Sequence, residues 1–290
     1  MSPPTRPGTK TRWSAFPYQE AAYDYAGAKL KQHWSRLHRG DCEPYPEPRK
    51  LQKLATTHPE LKPLASFEEA ARLLENAWRA YHRGAFSQAA EIGLSIGFLG
   101  YNVANKATNI YATYLEKNEA AKLALFLESA GRAENLFARA DGLANAWYLH
   151  AQALGRYSQG ISVAKALAEG LGGKIKTALD RTIALEPRHA DAHIALGAYH
   201  AEVISKIGEL FGGLTYGVSK DAAVAHFQTA LKLNPGSAIA RIEYANGLVM
   251  MFGKAKLAEA TALYAEAAGC DAADAMERLD IELAKSELAD

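Results

Sequence analysis

The stretch Ala178-Leu179-Asp180-Arg181-Thr182-Ile183-Ala184-Leu185-Glu186-Pro187 has a counterpart in Ala225-His226-Phe227-Gln228-Thr229-Ala230-Leu231-Lys232-Leu233-Asn234-Pro235. Both close on Leu-x-Pro, 48 positions apart (187 to 235). Each is followed at once by a new helical run, Ala190 to Tyr199 and Ser237 to Tyr244. Proline cannot continue a helix, so each stretch reads as the second helix of a pair, stopped by its own proline. From about Ser66 onward the chain is rich in alanine and leucine. It lacks the two-residue alternation of β-branched side chains that a half-buried strand needs. The fold class is therefore all-α, with essentially no sheet.

The positions inside each pair follow the tetratricopeptide pattern. Its first helix carries a large residue, then Leu-Gly, then Tyr; its second carries Ala, an aromatic, Ala and a closing proline. Here these are His193, Leu196, Gly197 and Tyr199, then Ala223, Phe227, Ala230 and Pro235. Gly197 and Ala223 sit where the helices cross closely, and Leu196, Tyr199 and Phe227 fill the remaining space. Leu74, Ala77, Tyr81, Gly84, Phe86 and Ala89 mark a first unit. Asn145 to Ala151 opens a third, closed by Ile175 to Pro187, and Glu259 to Ala267 ends the last. The second unit, Tyr101 to about Ala140, carries the weakest signature. The reading is a tetratricopeptide-like α-solenoid of about five helix pairs, with N- and C-terminal capping helices. Residues 64–290 form the repeat domain. Residues 1–63 form a proline-rich extension holding one helix, roughly Tyr18 to Arg39, before an extended Glu43 to Pro48. A last acidic helix, about Ala272 to Leu288, caps the stack. Ala168–Gly173 and Leu210–Gly217 read as loops inserted between paired helices, the second expected to fold back onto the inner surface or to gate a cavity.

The chain has 290 residues, 49% hydrophobic and 22% charged, ordinary values for a folded globular protein. With 33 basic and 32 acidic side chains it lacks the basic excess of a nucleic-acid binder. Its longest nearly apolar run, Ile92 to Tyr101, is too short to span a bilayer. Cys42 and Cys270 sit in no zinc or CxxC spacing, so free thiols are expected. Met1 to Gly8 is polar and proline-rich without an apolar core, which reads as a cytoplasmic protein without membrane insertion.

The near-neutral total hides opposite ends. Residues 1–63 carry 11 basic and 6 acidic side chains; residues 256–290 carry 3 and 9. An open stack would hold these ends farther apart than a Debye length of ~8 Å. The expected outcome is weak, salt-sensitive head-to-tail association, or a fold-back of the proline-rich segment over the acidic end.

His193 to Val203, then Gly212-Gly213-Leu214-Thr215-Tyr216-Gly217-Val218-Ser219-Lys220, then Phe227 to Pro235, resembles the tetratricopeptide-like T component associated with TRAP transporters. The resemblance covers roughly residues 140–270. It implies a helical, non-enzymatic protein that associates with a substrate-binding protein.

Motifs for chemistry are sparse. Gly93-Leu94-Ser95-Ile96-Gly97 has the GxSxG form, but a nucleophile elbow needs a strand before the serine, and this run is helical. Gly170 to Lys174 lacks the Walker spacing. His189, His193 and His200 share a helical face without an acidic pair to complete a metal site. No catalytic residue, cofactor or metal is assigned. What remains is the face that lines the groove of a helical-repeat stack. In the third unit it presents Asn145, Tyr148, Gln152 and Arg156. The matching positions are Asp191, Ile194, Ala198 and Glu202 in the next unit, and Ala71, Leu74, Trp78 and His82 in the first. From these, the partner-contact candidates are Trp78, His82, Asn145, Tyr148, Gln152, Arg156, Ile194 and Glu202. The expected function is a scaffold binding a protein or peptide in that groove. The alternative is an accessory or carrier protein holding a small apolar ligand. An open polar groove favours the first reading, a closed apolar cavity the second.

Overall fold

The computed structural model describes residues 13–18 and 21–289. Met1–Gly8 therefore lies outside the described residues. Among the described residues the fold is helical throughout, with no strand. Two helices open the chain, α1 (Lys29–Leu37) and α2 (Pro48–Thr57). Ten long helices carry the body: α3 (Phe67–His82), α4 (Phe86–Ser95), α5 (Tyr101–Tyr114), α6 (Glu119–Phe137), α7 (Ala144–Gln159), α9 (Leu171–Leu185), α10 (Ala190–Ile207), α12 (Lys220–Leu233), α13 (Ala238–Phe252) and α14 (Leu257–Ala268). Two short ones, α8 (Val163–Ala168) and α11 (Glu209–Tyr216), are inserted between them, and α15 (Ala275–Ala289) ends the chain. No helix among the described residues is long and apolar enough to cross a membrane.

Local chemistry sets these boundaries. Ser66, Asn118, Ser162, Ser219 and Ser237 each accept the backbone N–H three residues on, capping α3, α6, α8, α12 and α13. Glycines with positive φ, such as Gly170 at +65° and Gly217 at +67°, stand at the breaks beside α9 and α11. Helix α3 packs on α4, α5 on α6, α7 on α9, α10 on α12 and α13 on α14. Phe227 on α12 is the wedge that fixes one such crossing. A Cβ on Gly197 of α10, or on Gly247 of α13, would come within 2.7 Å of its ring. Gly197→Ala and Gly247→Ala are therefore each expected to destabilise the fold by about 1–3 kcal/mol. Urea unfolding checks this: an unchanged midpoint for both would show that the ring moves freely.

Several expectations are corrected. The first helix is shorter than Tyr18–Arg39, because Gly27 adopts φ +57° and the helix begins only at Lys29. Pro48, expected to sit in extended chain, instead occupies the first helical position of α2, where its missing N–H costs nothing. Leu210–Gly217 is not a loop: residues 209–216 are helix α11. Nor does it bury its side chains, since Leu210 and Leu214 are 81% and 83% exposed.

The largest correction concerns the ends. They are in contact, not apart. Tyr25 Oη donates to the Ala273 carbonyl at 2.6 Å, and Arg36 holds Glu277 through two bonds of 2.5 and 2.8 Å. His82 Nδ1 meets Asp274 Oδ2 at 2.8 Å, and the Tyr81 hydroxyl reaches Met276 Sδ at 3.0 Å. Helix α15 packs on α3, α13 and α14, so the packing order returns to its start. One ion pair, Arg36–Glu277, joins the basic end to the acidic end within the molecule. Tyr25 and Arg36 of the N-terminal extension thus lie against the acidic end, the contact that a fold-back requires, while Pro3, Pro4 and Pro7 lie outside the described residues.

Candidate functional site

Between α5, α7, α9, α10 and α15 lies a cavity of about 190 Å³. Ile110 on α5, Ala151 on α7, Ile175 and Leu179 on α9, and Ile194 and Ala198 on α10 give it mostly apolar walls. Helices α8 and α11 flank it, contributing Val163, Leu167 and Tyr216. The size is comparable to the ~150 Å³ void that admits one benzene in a protein core.

Residues 38–47 form a strap packed against α5, α7 and α10 through Lys106, Asn145 and Asp191. It is fixed at each step. The Gly40 carbonyl accepts the Asp191 N–H at 3.0 Å, and the Asp41 carbonyl accepts Asn145 Nδ2 at 3.0 Å. The Glu43 carbonyl accepts Trp34 Nε1 at 2.6 Å. Asp41 is the centre of the strap's chemistry. Its carboxylate binds Lys106 Nζ, accepts His38 Nδ1–H at 2.9 Å, and accepts the Glu43 N–H at 3.3 Å. Burial opposes its ionisation, but Lys106 and His38 outweigh that and hold it well below the usual carboxylate range. Lys106 in turn stays charged despite burial, because Asp41 and then Asp191 raise its pKa. The His38 imidazole is pushed down to about 4 by burial, so it is neutral at pH 7.

The Glu43 side chain lies beneath the strap in a second void of about 420 Å³, walled by Tyr45, Leu51, Leu74 and Phe98. Its Oε2 accepts Asn145 Nδ2 at 2.6 Å and Asn102 Nδ2 at 3.2 Å. Burial, reinforced by Asp41, drives its pKa up to about 8.

The sequence candidates divide along this line. Tyr148, Gln152, Arg156, Ile194 and Glu202 line the cavity, together with the matching positions Asp191 and Ala198. Trp78 and His82 do not reach it: both are buried in a core with Trp34 and Leu37, and His82 is closed off by Asp274. Asn145 is spent on the strap and on His189, whose Nε2 it meets at 2.9 Å. Sequence reading missed Lys106, Tyr114 and Asp280. Lys106 left a signal, since it stands among Val103, Ala107 and Ile110 on the apolar face of α5. Asp280 left none, because nothing local places α15 against α5.

The charged groups of the cavity are largely paired. Arg156 holds Glu243 at 2.7 Å, Lys206 holds Glu202 at 3.2 Å, and the Tyr114 hydroxyl donates to Asp280. Burial raises the Asp280 pKa well above the usual range. The histidines do not gather into a metal site. His189 caps α10 through Nδ1, His193 Nδ1 meets His226 Nδ1 at 2.9 Å, and His200 Nδ1 accepts the Ser219 N–H. Among the described residues no group of three or more potential ligands is placed to hold a metal ion. Ser95 is exposed, and its hydroxyl donates to the Ile92 carbonyl at 2.7 Å.

No protein-family model matches the chain, and no curated protein matches it.

Proposed function

We propose that this chain is a tetratricopeptide-like α-solenoid of five helix pairs (α3/α4, α5/α6, α7/α9, α10/α12, α13/α14) that encloses a small, mainly apolar ligand. It acts as a non-enzymatic binding or carrier protein. The observation that carries this reading is the apolar cavity between α7, α9 and α10, which the repeat's groove positions line. Support for non-catalytic binding comes from Arg156–Glu243, Lys206–Glu202 and Tyr114–Asp280, which are engaged with one another rather than arranged as nucleophile and base. A protein or peptide lying along the groove, the reading that the sequence favours first, fits less well. The first-unit positions Trp78 and His82 are buried in the chain's own core, and Asn145 is bonded to the strap. The resemblance to the TRAP-associated T component agrees with an accessory role beside another protein.

Ala198→Trp tests the reading by filling the cavity from α10. The purified chain is expected to bind an apolar fluorescent probe saturably, and the variant to lose at least tenfold in affinity while keeping its helical circular dichroism. Equal probe binding by a folded variant would place the ligand elsewhere.

A further inference from the structure

The lining of the cavity holds four carboxylates and three cations: Asp191, Glu202, Glu243 and Asp280 against Lys106, Arg156 and Lys206. Each cation already has a carboxylate partner: Lys106 has Asp41, Arg156 has Glu243 and Lys206 has Glu202. An anionic ligand would have to break one of these pairs. Two carboxylates have no cation of their own. Asp280 accepts only the Tyr114 hydroxyl, and the Asp191 side chain has no hydrogen bond or ion pair among the described residues. Asp191 stands in the first turn of α10, where the helix N-terminus favours a negative charge. Its Oδ1 lies over Gly40 of the strap so closely that a Cβ there would come within 2.2 Å. The strap thus passes beneath Asp191 and offers it no side chain.

Building on the enclosed-ligand reading above, we infer that the ligand is a cationic amphiphile, an alkyl or aryl amine whose ammonium seats on Asp191 while its apolar body lies against Ile175, Leu179 and Ile194. The ammonium supplies the counter-charge that the cavity lacks, and its N–H groups give Asp191 the hydrogen bonds that Lys106, bonded to Asp41, does not.

The pH dependence follows. Burial first, and Asp41 and Glu277 after it, push the Asp191 pKa up to about 6, against the pull of Lys106. The groups facing it are Tyr81 on α3, Lys106 on α5, Tyr148 on α7, Asp41 and Cys42 in the strap, and Glu277 and Asp280 on α15. An arriving ammonium needs the ionised form. Amine affinity should therefore rise about tenfold between pH 5 and pH 7.

The test is titration calorimetry of the full chain with n-octylamine, 1-octanol and sodium octanoate, which share one tail. Octylamine is expected to bind at least tenfold tighter than octanol at pH 7, and octanoate weakest of the three. Asp191→Asn should erase the preference for the amine over octanol and its pH dependence while the chain keeps its helical circular dichroism. Tighter binding of octanoate than of octylamine, or an amine preference that survives in Asp191→Asn, would overturn the inference. Octanol binding that disappears in Ala198→Trp supports the enclosed-ligand reading whatever the amine does. Failure of all three compounds to bind the native chain would sink that reading and the amine with it.

Discussion

Lys106→Met is expected to lower the melting temperature by about 10 °C. The ion pair between Lys106 and Asp41 is almost wholly buried, at 4% and 2% exposure. Taking two such charges from water carries a desolvation penalty of several kcal/mol each, offset by their mutual attraction and by hydrogen bonds to the remaining lone pairs. Methionine keeps much of the side-chain volume but leaves Asp41 ionised with only neutral donors, the His38 imidazole and the Glu43 amide. Breaking a buried pair on one side costs about 3–5 kcal/mol, and each kcal/mol moves the midpoint of a chain this size by roughly 2–4 °C. The double variant Asp41→Asn/Lys106→Met removes both charges and should recover at least half of the loss. Thermal unfolding of the native chain, both single variants and the double variant decides it. A fall under about 2 °C for Lys106→Met would mean that water reaches the pair and that the strap is not held by it.

The second large effect is a loss of stability in mild alkali, and it belongs to Glu43. Its folded pKa of about 8 lies above its unfolded value of about 4.5. The folded state therefore binds the extra proton between those values. Its stabilising contribution is complete below about pH 4.5 and is lost as pH rises through 8. Between pH 7 and pH 9 the loss integrates to about 1.4 kcal/mol. Asp41 runs the other way: held low, it contributes stability above the ordinary carboxylate range and loses it only in strong acid. Glu43→Gln keeps an acceptor for Asn102 and Asn145 but cannot ionise. Denaturant midpoints of the variant should be flatter than those of the native chain from pH 7 to pH 9. Parallel curves for the two would show that Glu43 titrates in water.

What the sequence discloses is what neighbours along the chain decide. Pro187 and Pro235 end their helices, and Gly197 faces Phe227, because each of these follows from residues within one pair of packed helices. The groove face of α7 and α10 is equally local, so Tyr148, Arg156, Ile194 and Asp191 are found by spacing alone. The strap is different. Asp41 looks like any surface acid until Lys106, 65 positions away, is brought to it. Trp78 and His82 obey the groove spacing too, yet they are buried because residues 23–37 and 272–279 pack over them. The glycine pair Gly212-Gly213 reads as a breaker, but α11 tolerates it because Gly212 lies under Val203 and Val218, where a Cβ would crowd them at 3.1 and 2.9 Å.

The meeting of α15 with α1 and α3 changes how the molecule comes apart. A stack with free ends frays one unit at a time, and its terminal units sample the open state far more often than its middle. Here the first unit cannot detach without breaking Arg36–Glu277 and His82–Asp274, and those same contacts hold the last helix. The first and last described helices thus share a single opening event, and cooperativity that a linear stack lends only to nearest neighbours joins α1 and α3 to α15.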